Sequence, residues 1–225
     1  IVGNAAMNHP QAAQILAVAN RIAQSCGAVV SVAVDGANTV GAYAVGAVAQ
    51  NGSLTAQQML AQPRAVYVTL NVEPANDTAN PAQAVAALKS AFVIALNSYF
   101  SAVADTADVI LPTVPFTETG GTFVNAEGRV QTFNPVVKPL GEARPAWKVL
   151  RVLGERLGIE SPAFSANDVN DIRAAVAPIL AELPARLANG SSADAHATEV
   201  ANGWVRSTRV NPYAVDAVVR RAGSL

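Results

Sequence analysis

Four short, nearly continuous apolar runs constrain this chain most: AVVSVAV at 28–34, AVYVTL at 65–70, AFVIAL at 91–96 and ADVIL at 107–111. Each is rich in β-branched residues and too short for a stable helix. Runs of this kind suit strands buried on both faces, and such strands belong to parallel sheets covered by helices. An antiparallel sheet with one wet face would instead alternate apolar and polar residues.

The intervening stretches read as helices. From Pro10 to Cys26, Ala12, Ile15, Ala19, Ile22 and Cys26 fall on one stripe, and Gly27 suits a left-handed cap. Thr55 caps a short helix to Ala61, and Asn80 with Pro81 opens another through Lys89. Pro145 opens a helix in which Trp147, Leu150, Leu153 and Leu157 share a face, Gly158 stops it, and that face is expected to pack on the sheet. Val169, Ile172, Val176, Ile179 and Leu183 mark a further helix over 168–183, with Asn167 as cap and Pro178 as a kink. Alternating strands and helices predict an α/β fold: a three-layer αβα arrangement around a mainly parallel, Rossmann-like sheet, formed by the four runs and a stub at Ile1-Val2, with C-terminal helices and a tail. The expected organisation is an α/β domain over 1–160, an additional helix over 161–185, and a linker (186–199) and tail completing 186–225.

Composition removes several functions. Fifteen basic and 16 acidic residues give a net charge of -1, so there is no electrostatic footprint for nucleic acid or an anionic bilayer. Polar residues interrupt every apolar stretch within about ten positions, short of the ~20 needed to span a membrane. The chain opens on IVGN without a basic n-region, so no secretory signal is expected and it reads as a fragment beginning mid-strand. Cys26 is the single cysteine. One thiol excludes a disulfide framework, a cysteine zinc site and a self-contained iron-sulfur cluster, and it points to a reducing compartment. Cys26 is expected to be a small buried apolar residue. Three N-x-S/T triplets, at Asn51, Asn76 and Asn189, read as chance.

In an open parallel sheet, ligands meet the loops at the carboxyl ends of the strands, here 3–10, 35–52, 71–80 and 112–135. GANTVGAY at 36–43 has the glycine spacing of a phosphate-binding loop, but Ala42-Tyr43 stands where Lys-Ser/Thr is required, so Gly36, Gly41 and Gly46 are assigned to turns and close packing. Neither G-x-G-x-x-G nor G-x-S-x-G occurs. His9, in the turn NHP, reads as solvated, and with His196 in NGSSADAHATE it builds no triad. Glu118 and Glu127 share a loop, where paired carboxylates could move protons but more simply accept backbone N–H groups.

That loop belongs to ADVILPTVPFTETGGTFVNAEGRVQ, residues 107–131. It is expected to be an ordered shelf over the strand ends. Gly120-Gly121 would supply unusual backbone angles, Thr119, Thr122, Asn125 and Glu127 local hydrogen bonds, and Val114, Phe116, Phe123 and Val124 packing. The segment also resembles molybdopterin oxidoreductases through A-D-V-x-L-P, E-x-x-G-T and N-x-E-x-R-V-Q. In that family the loop leaves a sheet strand and approaches a bis-pterin cofactor, so Glu118, Gly121, Thr122, Asn125, Glu127 and Arg129 are the corresponding pterin-loop positions. Active members commonly carry Glu-Arg-Arg where this chain has Glu127-Gly128-Arg129. The latter form resembles the large iron-sulfur subunit of bacterial NADH-quinone oxidoreductase, respiratory complex I, as do ARPAWKVLRVLGERLG at 143–158 and NPYAVDAVVRRAGSL at 211–225.

The resemblance implies a cofactor-free scaffold portion of the complex I peripheral arm, with no catalytic, pterin-binding or metal-binding residue of its own; the six loop positions would be vestigial. Iron-sulfur clusters would lie upstream in the parent subunit. Partners would be other peripheral-arm subunits on the cytoplasmic side of the inner membrane, with no nucleic acid and no direct membrane insertion. A fragment of an active, formate dehydrogenase-like molybdopterin enzyme and an unrelated α/β binding module remain alternatives. Residues 211–225 are expected to dock through Tyr213, Val215, Val218 and Val219.

Overall fold

Three parallel strands form the main sheet, in the order β1 (Val66–Leu70), β2 (Phe92–Asn97), β3 (Val109–Pro112). The computed structural model describes residues 1–7, 9, 11–49, 52–160, 162–186 and 216–224. Asn51, Asn189, His196, Tyr213, Val215 and the expected linker beyond Arg186 lie outside the described residues. Helices α1 (Asn4–Met7), α2 (Ala12–Cys26), α3 (Thr39–Ala44) and α4 (Ala56–Ala61) precede β1, and α5 (Pro81–Lys89) joins β1 to β2. A two-stranded hairpin, β4 (Gly121–Val124) and β5 (Val130–Phe133), follows β3, and then α6 (Ala146–Arg156), α7 (Val169–Ala181) and α8 (Leu183–Arg186). The α/β class is the one the alternation predicted. The described residues divide into two compact units, one drawn from 1–47, 122–131 and 176–209, the other from 48–121, 132–175 and 210–225.

In the second unit, local sequence sets each boundary. Thr55 Oγ1 accepts the Gln58 N–H at 3.2 Å and Gln58 Oε1 accepts the Thr55 N–H at 2.9 Å, a reciprocal cap on α4. Asn80 Oδ1 accepts from Gln83 N at 3.2 Å, and Pro81 starts α5 where no N–H is needed. Pairing runs Val66 with Phe92, Val68 with Ile94 and Ile94 with Val109. Asp108 ties β2 to β3: its N–H donates to Val93 O at 3.0 Å and its carboxylate accepts Val93 N–H at 2.7 Å.

One sheet face is closed by Tyr67, Val93 and Leu88, with Met59 and Leu60 packed against them, and Tyr67 donates its hydroxyl to Met59 O at 2.7 Å. The opposite face is covered only in part: Leu96 is fully buried there, whereas Val66 and Val68 are 53% and 52% exposed and Phe92 and Val109 are exposed too.

In the first unit the run 28–34 is not a strand of that sheet. It makes an isolated parallel bridge, Val2 to Val32, through Val2 N to Ser31 O at 2.7 Å and Ala33 N to Val2 O at 2.8 Å. A strand needs a neighbour with a ladder to share, and Val2 alone supplies two bonds; Val29 is 80% exposed. Helix α2 ends as expected, with Gly27 at φ 67° and its N–H on Ala23 O. Its buried side is Ala17, Asn20 and Ala23, not the predicted stripe, because small residues permit the closest approach; Ile22 and Cys26 are exposed. Helix α3 begins within the phosphate-loop look-alike. A Cβ on Gly41 would collide with the Asn38 side chain, whose Oδ1 accepts Val124 N–H at 2.8 Å, and Gly46 turns at φ 72°. Those two glycines therefore serve packing and a turn. Ala44, Val124 and Leu183 form the core there, with Val40 and Leu180 against them.

Helix α6 stops at Gly158 (φ 67°), with Trp147, Leu150 and Leu153 half-buried and Leu157 exposed. Its close neighbour is Phe164: a Cβ on Gly154 would lie 2.6 Å from that ring, so the helix packs on this aromatic and not, as predicted, chiefly on the sheet. Helix α7 is capped one residue later than expected. Asp168 Oδ1 accepts Asn170 and Asp171 N–H at 2.7 and 3.1 Å, while Asp171 Oδ2 accepts Asn167 N–H at 2.7 Å. Among the described residues no helix is long and apolar enough to cross a membrane.

Candidate functional site: the strand-end rim

The three parallel strands end in a band of polar residues. Asn71 leaves β1 at φ 50°, a left-handed conformation that asparagine tolerates better than most side chains, and its N–H still reaches Leu96 O at 2.8 Å. Thr113 donates its hydroxyl to Asn71 Oδ1 at 3.2 Å and its N–H to Asn97 O at 3.1 Å. Asn97 donates Nδ2 to Val72 O at 3.2 Å and accepts Tyr99 N–H at 2.9 Å. Asn97 and Thr113 are buried, so these bonds replace water for groups that are costly to leave unpaired.

Beyond β1 the chain folds into a tight turn around Glu73. Asn76 and Asp77 N–H both donate to Glu73 O at 2.9 Å, Asp77 Oδ2 accepts Glu73 N–H at 2.7 Å, and Thr78 donates its hydroxyl to Pro74 O at 2.7 Å. The Glu73 side chain is only 2% exposed. Arg221 Nη1 donates to its Oε1 at 2.7 Å, while Arg220 Nη1 and Asn76 Nδ2 donate to its Oε2 at 2.9 and 3.1 Å. Arg220 Nη2 also reaches Asp77 Oδ1 at 2.7 Å. The Arg221 guanidinium lies 3.9 Å from the centre of the Tyr99 ring. Hydrogen bonding to Asp77 raises the Arg220 pKa above its ordinary value; partial burial opposes this, and the Asp77 and Glu73 charges reinforce it. Two carboxylates facing two guanidiniums leave the cluster neutral.

The hairpin places the remaining sequence candidates. Phe116–Glu118 forms one 3₁₀ turn after β3, and Glu118 Oε2 accepts Leu140 N–H at 3.0 Å. Gly120 and Gly121 do not take the unusual angles expected of them, since neither has a positive φ. Gly121 is needed for space: a Cβ there would lie 2.5 Å from Phe133 Cζ. Arg173 of α7 holds the base of the hairpin, donating to Phe133 O at 2.7 Å and Asn134 Oδ1 at 3.3 Å. At the tip Asn125 Oδ1 accepts Glu127 and Arg129 N–H at 3.1 and 2.9 Å, and Gly128 turns at φ 81°. The side chains of Glu127 and Arg129 are exposed and have no hydrogen-bond partner among the described residues. Thr122 is half-buried in β4.

The expected shelf is thus a hairpin with secondary structure of its own. Val114 and Val124 are buried as anticipated, whereas Phe116 and Phe123 are exposed. Glu118 has the backbone-accepting role foreseen for the loop carboxylates and Glu127 does not. His9 accepts Gln11 N–H through Nδ1 at 3.0 Å, a local turn contact. Of the four residues expected to dock the tail, Tyr213 and Val215 lie outside the described residues, Val219 is half-buried and Val218 is exposed, while Arg220 and Arg221 add an ionic contact to Glu73. Sequence reasoning singled out the loop 71–80 but neither Glu73 nor its partners. An asparagine closing the apolar run 91–96 was one available signal, and adjacent arginines near the C-terminus were another. Among the described residues no group of three His, Cys, Asp or Glu side chains is placed to hold a metal ion.

A parallel α/β sheet with a polar strand-end rim and a glycine-dependent hairpin after its last strand defines the class. Residues 1–156 match the molybdopterin oxidoreductase family, and the chain belongs to it. A mitochondrial NADH-ubiquinone oxidoreductase 78 kDa subunit from Neurospora crassa is 31% identical over 144 residues, 64% of this chain and 18% of that protein. Candidate formate dehydrogenases from Staphylococcus aureus and Staphylococcus haemolyticus are 33% identical over 90 residues and 31% over 87, or 40% and 39% of this chain and 9% of each relative. The chain therefore spans at most 18% of the length of these relatives.

Proposed function

We propose that the chain is a cofactor-free scaffold portion of the large iron-sulfur subunit of a bacterial NADH-quinone oxidoreductase. In this reading it holds neighbouring peripheral-arm subunits in place on the cytoplasmic side of the inner membrane, while clusters elsewhere in the subunit conduct electrons from NADH to quinone. The observation that supports it is the filled rim. Asn71, Asn97 and Thr113 bond to one another or to nearby backbone, and Glu73 and Asp77 are paired with Arg220 and Arg221. Ligands of an open parallel sheet enter there, and these polar groups are engaged with one another or with nearby backbone.

The hairpin tip supports the same reading. Gly128 at φ 81° holds a conformation costly for a side chain, so the Glu-Arg-Arg form of active relatives fits this turn poorly. The match to the 78 kDa subunit also extends further along the chain than the matches to the candidate formate dehydrogenases. The latter favour the second reading, a fragment of an active molybdopterin oxidoreductase. The test is Asn97→Ala in the parent complex. A scaffold role predicts fewer assembled complexes with unchanged turnover per assembled complex. Normal assembly with turnover abolished would overturn it and favour the catalytic reading.

A further inference from the structure

The turn around Glu73 has the construction of a receptor. Its carboxylate is buried, yet its position is fixed from within 71–78 by Asp77 on its N–H, by Asn76 Nδ2 on Oε2 and by two N–H groups on its carbonyl. None of these bonds involves the C-terminal segment. What sits on the receptor is a different matter. Within the described residues 216–224 no side chain is buried, Val218 is exposed, and the segment reaches the turn through Arg220 and Arg221. Asp216 Oδ1 accepts Val218 and Val219 N–H at 2.8 and 3.0 Å, which shapes the short turn presenting both arginines together. Within 216–224 the contacts of Arg220 and Arg221 to the turn are ion pairs, and salt weakens such pairs as far as solvent reaches them; the Arg221 side chain is 30% exposed.

We propose that Glu73, Asp77 and Tyr99 form a binding site for a peptide with adjacent arginines, and that Arg220-Arg221 of this chain is its resident, removable occupant. One guanidinium bridges the two carboxylates. The other pairs with Glu73 and stacks on Tyr99. Glu73 and Asp77 follow β1 whereas Tyr99 follows β2, so the occupant lies across two strand ends as a strap. When it leaves, the rim opens and the same site takes an Arg-Arg segment supplied in trans.

The test uses a fluorescent peptide with the sequence of residues 216–224, DAVVRRAGS, and the 225-residue chain carrying Arg220→Ala and Arg221→Ala. Anisotropy is expected to show saturable binding to this variant, about tenfold or more weaker binding to the unsubstituted chain, whose own strap competes, and a similar weakening when Asp77→Asn is added. No binding to a variant whose circular dichroism matches the unsubstituted chain would overturn the proposal, as would equal binding of a peptide with Ala-Ala for Arg-Arg. If the variant does not fold, hydrogen exchange on the unsubstituted chain decides. Raising salt to about 1 M should strip protection from the Arg220, Arg221 and Ala222 amides while the Asn76 and Asp77 amides keep theirs. Persistence of the first group, or joint loss of both, would show that the segment is not a removable strap.

Discussion

The strand-end rim and the hairpin tip both end in charged residues, but the charges are used in opposite ways. At the rim Glu73 is buried, and its partners stand up to 148 residues away in sequence. At the tip Glu127 and Arg129 are two residues apart and exposed, and the turn is held by Asn125 and by a glycine angle. A family-like motif therefore marks where the chain turns sharply, whereas the costly electrostatics lie in a region with no motif.

The largest expected effect is at the rim. Glu73→Gln leaves two guanidiniums facing a neutral, buried group, and breaking a buried pair from one side costs about 3 kcal/mol. Chemical denaturation of the 225-residue chain should show a loss of that order; a change within about 0.5 kcal/mol would mean that the pairs are not held in solution.

Next comes the hairpin base. In Gly121→Ala the added methyl group would strike the Phe133 ring, and such overpacking costs about 1–3 kcal/mol. Adding Phe133→Leu should recover part of the loss. No recovery would indicate that the glycine serves something other than space.

At the tip, Asn125→Ala removes the acceptor of two backbone N–H groups and should cost about 1 kcal/mol, while Glu127→Ala should stay within about 0.5 kcal/mol. Equal losses for the two in thermal unfolding would erase the distinction between them.

The smallest effect is at the start of α7. Backbone N–H groups of Asn167 and Asp168 lower the Asp171 pKa below its ordinary value of 3.8. A depressed carboxylate stabilises the fold above its unfolded pKa, and that contribution is lost as pH falls through the folded value. The stability of Asp171→Asn should therefore fall less steeply than that of the unsubstituted chain below about pH 4. Parallel acid profiles would remove Asp171 from the cap.

What was legible in the sequence was local. Thr55, Asn80 with Pro81, and Gly27 each act within four residues of themselves, and the helices they bound are where they were expected. The run 28–34 forms only an isolated bridge because apolar character does not supply a neighbouring strand. The stripe on α2 failed for a related reason: size, not hydropathy, decided which side came closest. At the candidate site the hairpin glycines were recognised but given the wrong task, since the crowding at Gly121 comes from Phe133, twelve residues on. Glu73 with Arg220 and Arg221 was invisible because nothing local distinguishes a buried glutamate from a solvated one.

A pair of double-mutant cycles tests the central contrast most directly. Glu73→Gln combined with Arg221→Met should be non-additive by more than about 1 kcal/mol, while Glu127→Ala combined with Arg129→Ala should add to within about 0.3–0.5 kcal/mol. Additivity at the rim, or coupling of equal size at the hairpin tip, would contradict the account.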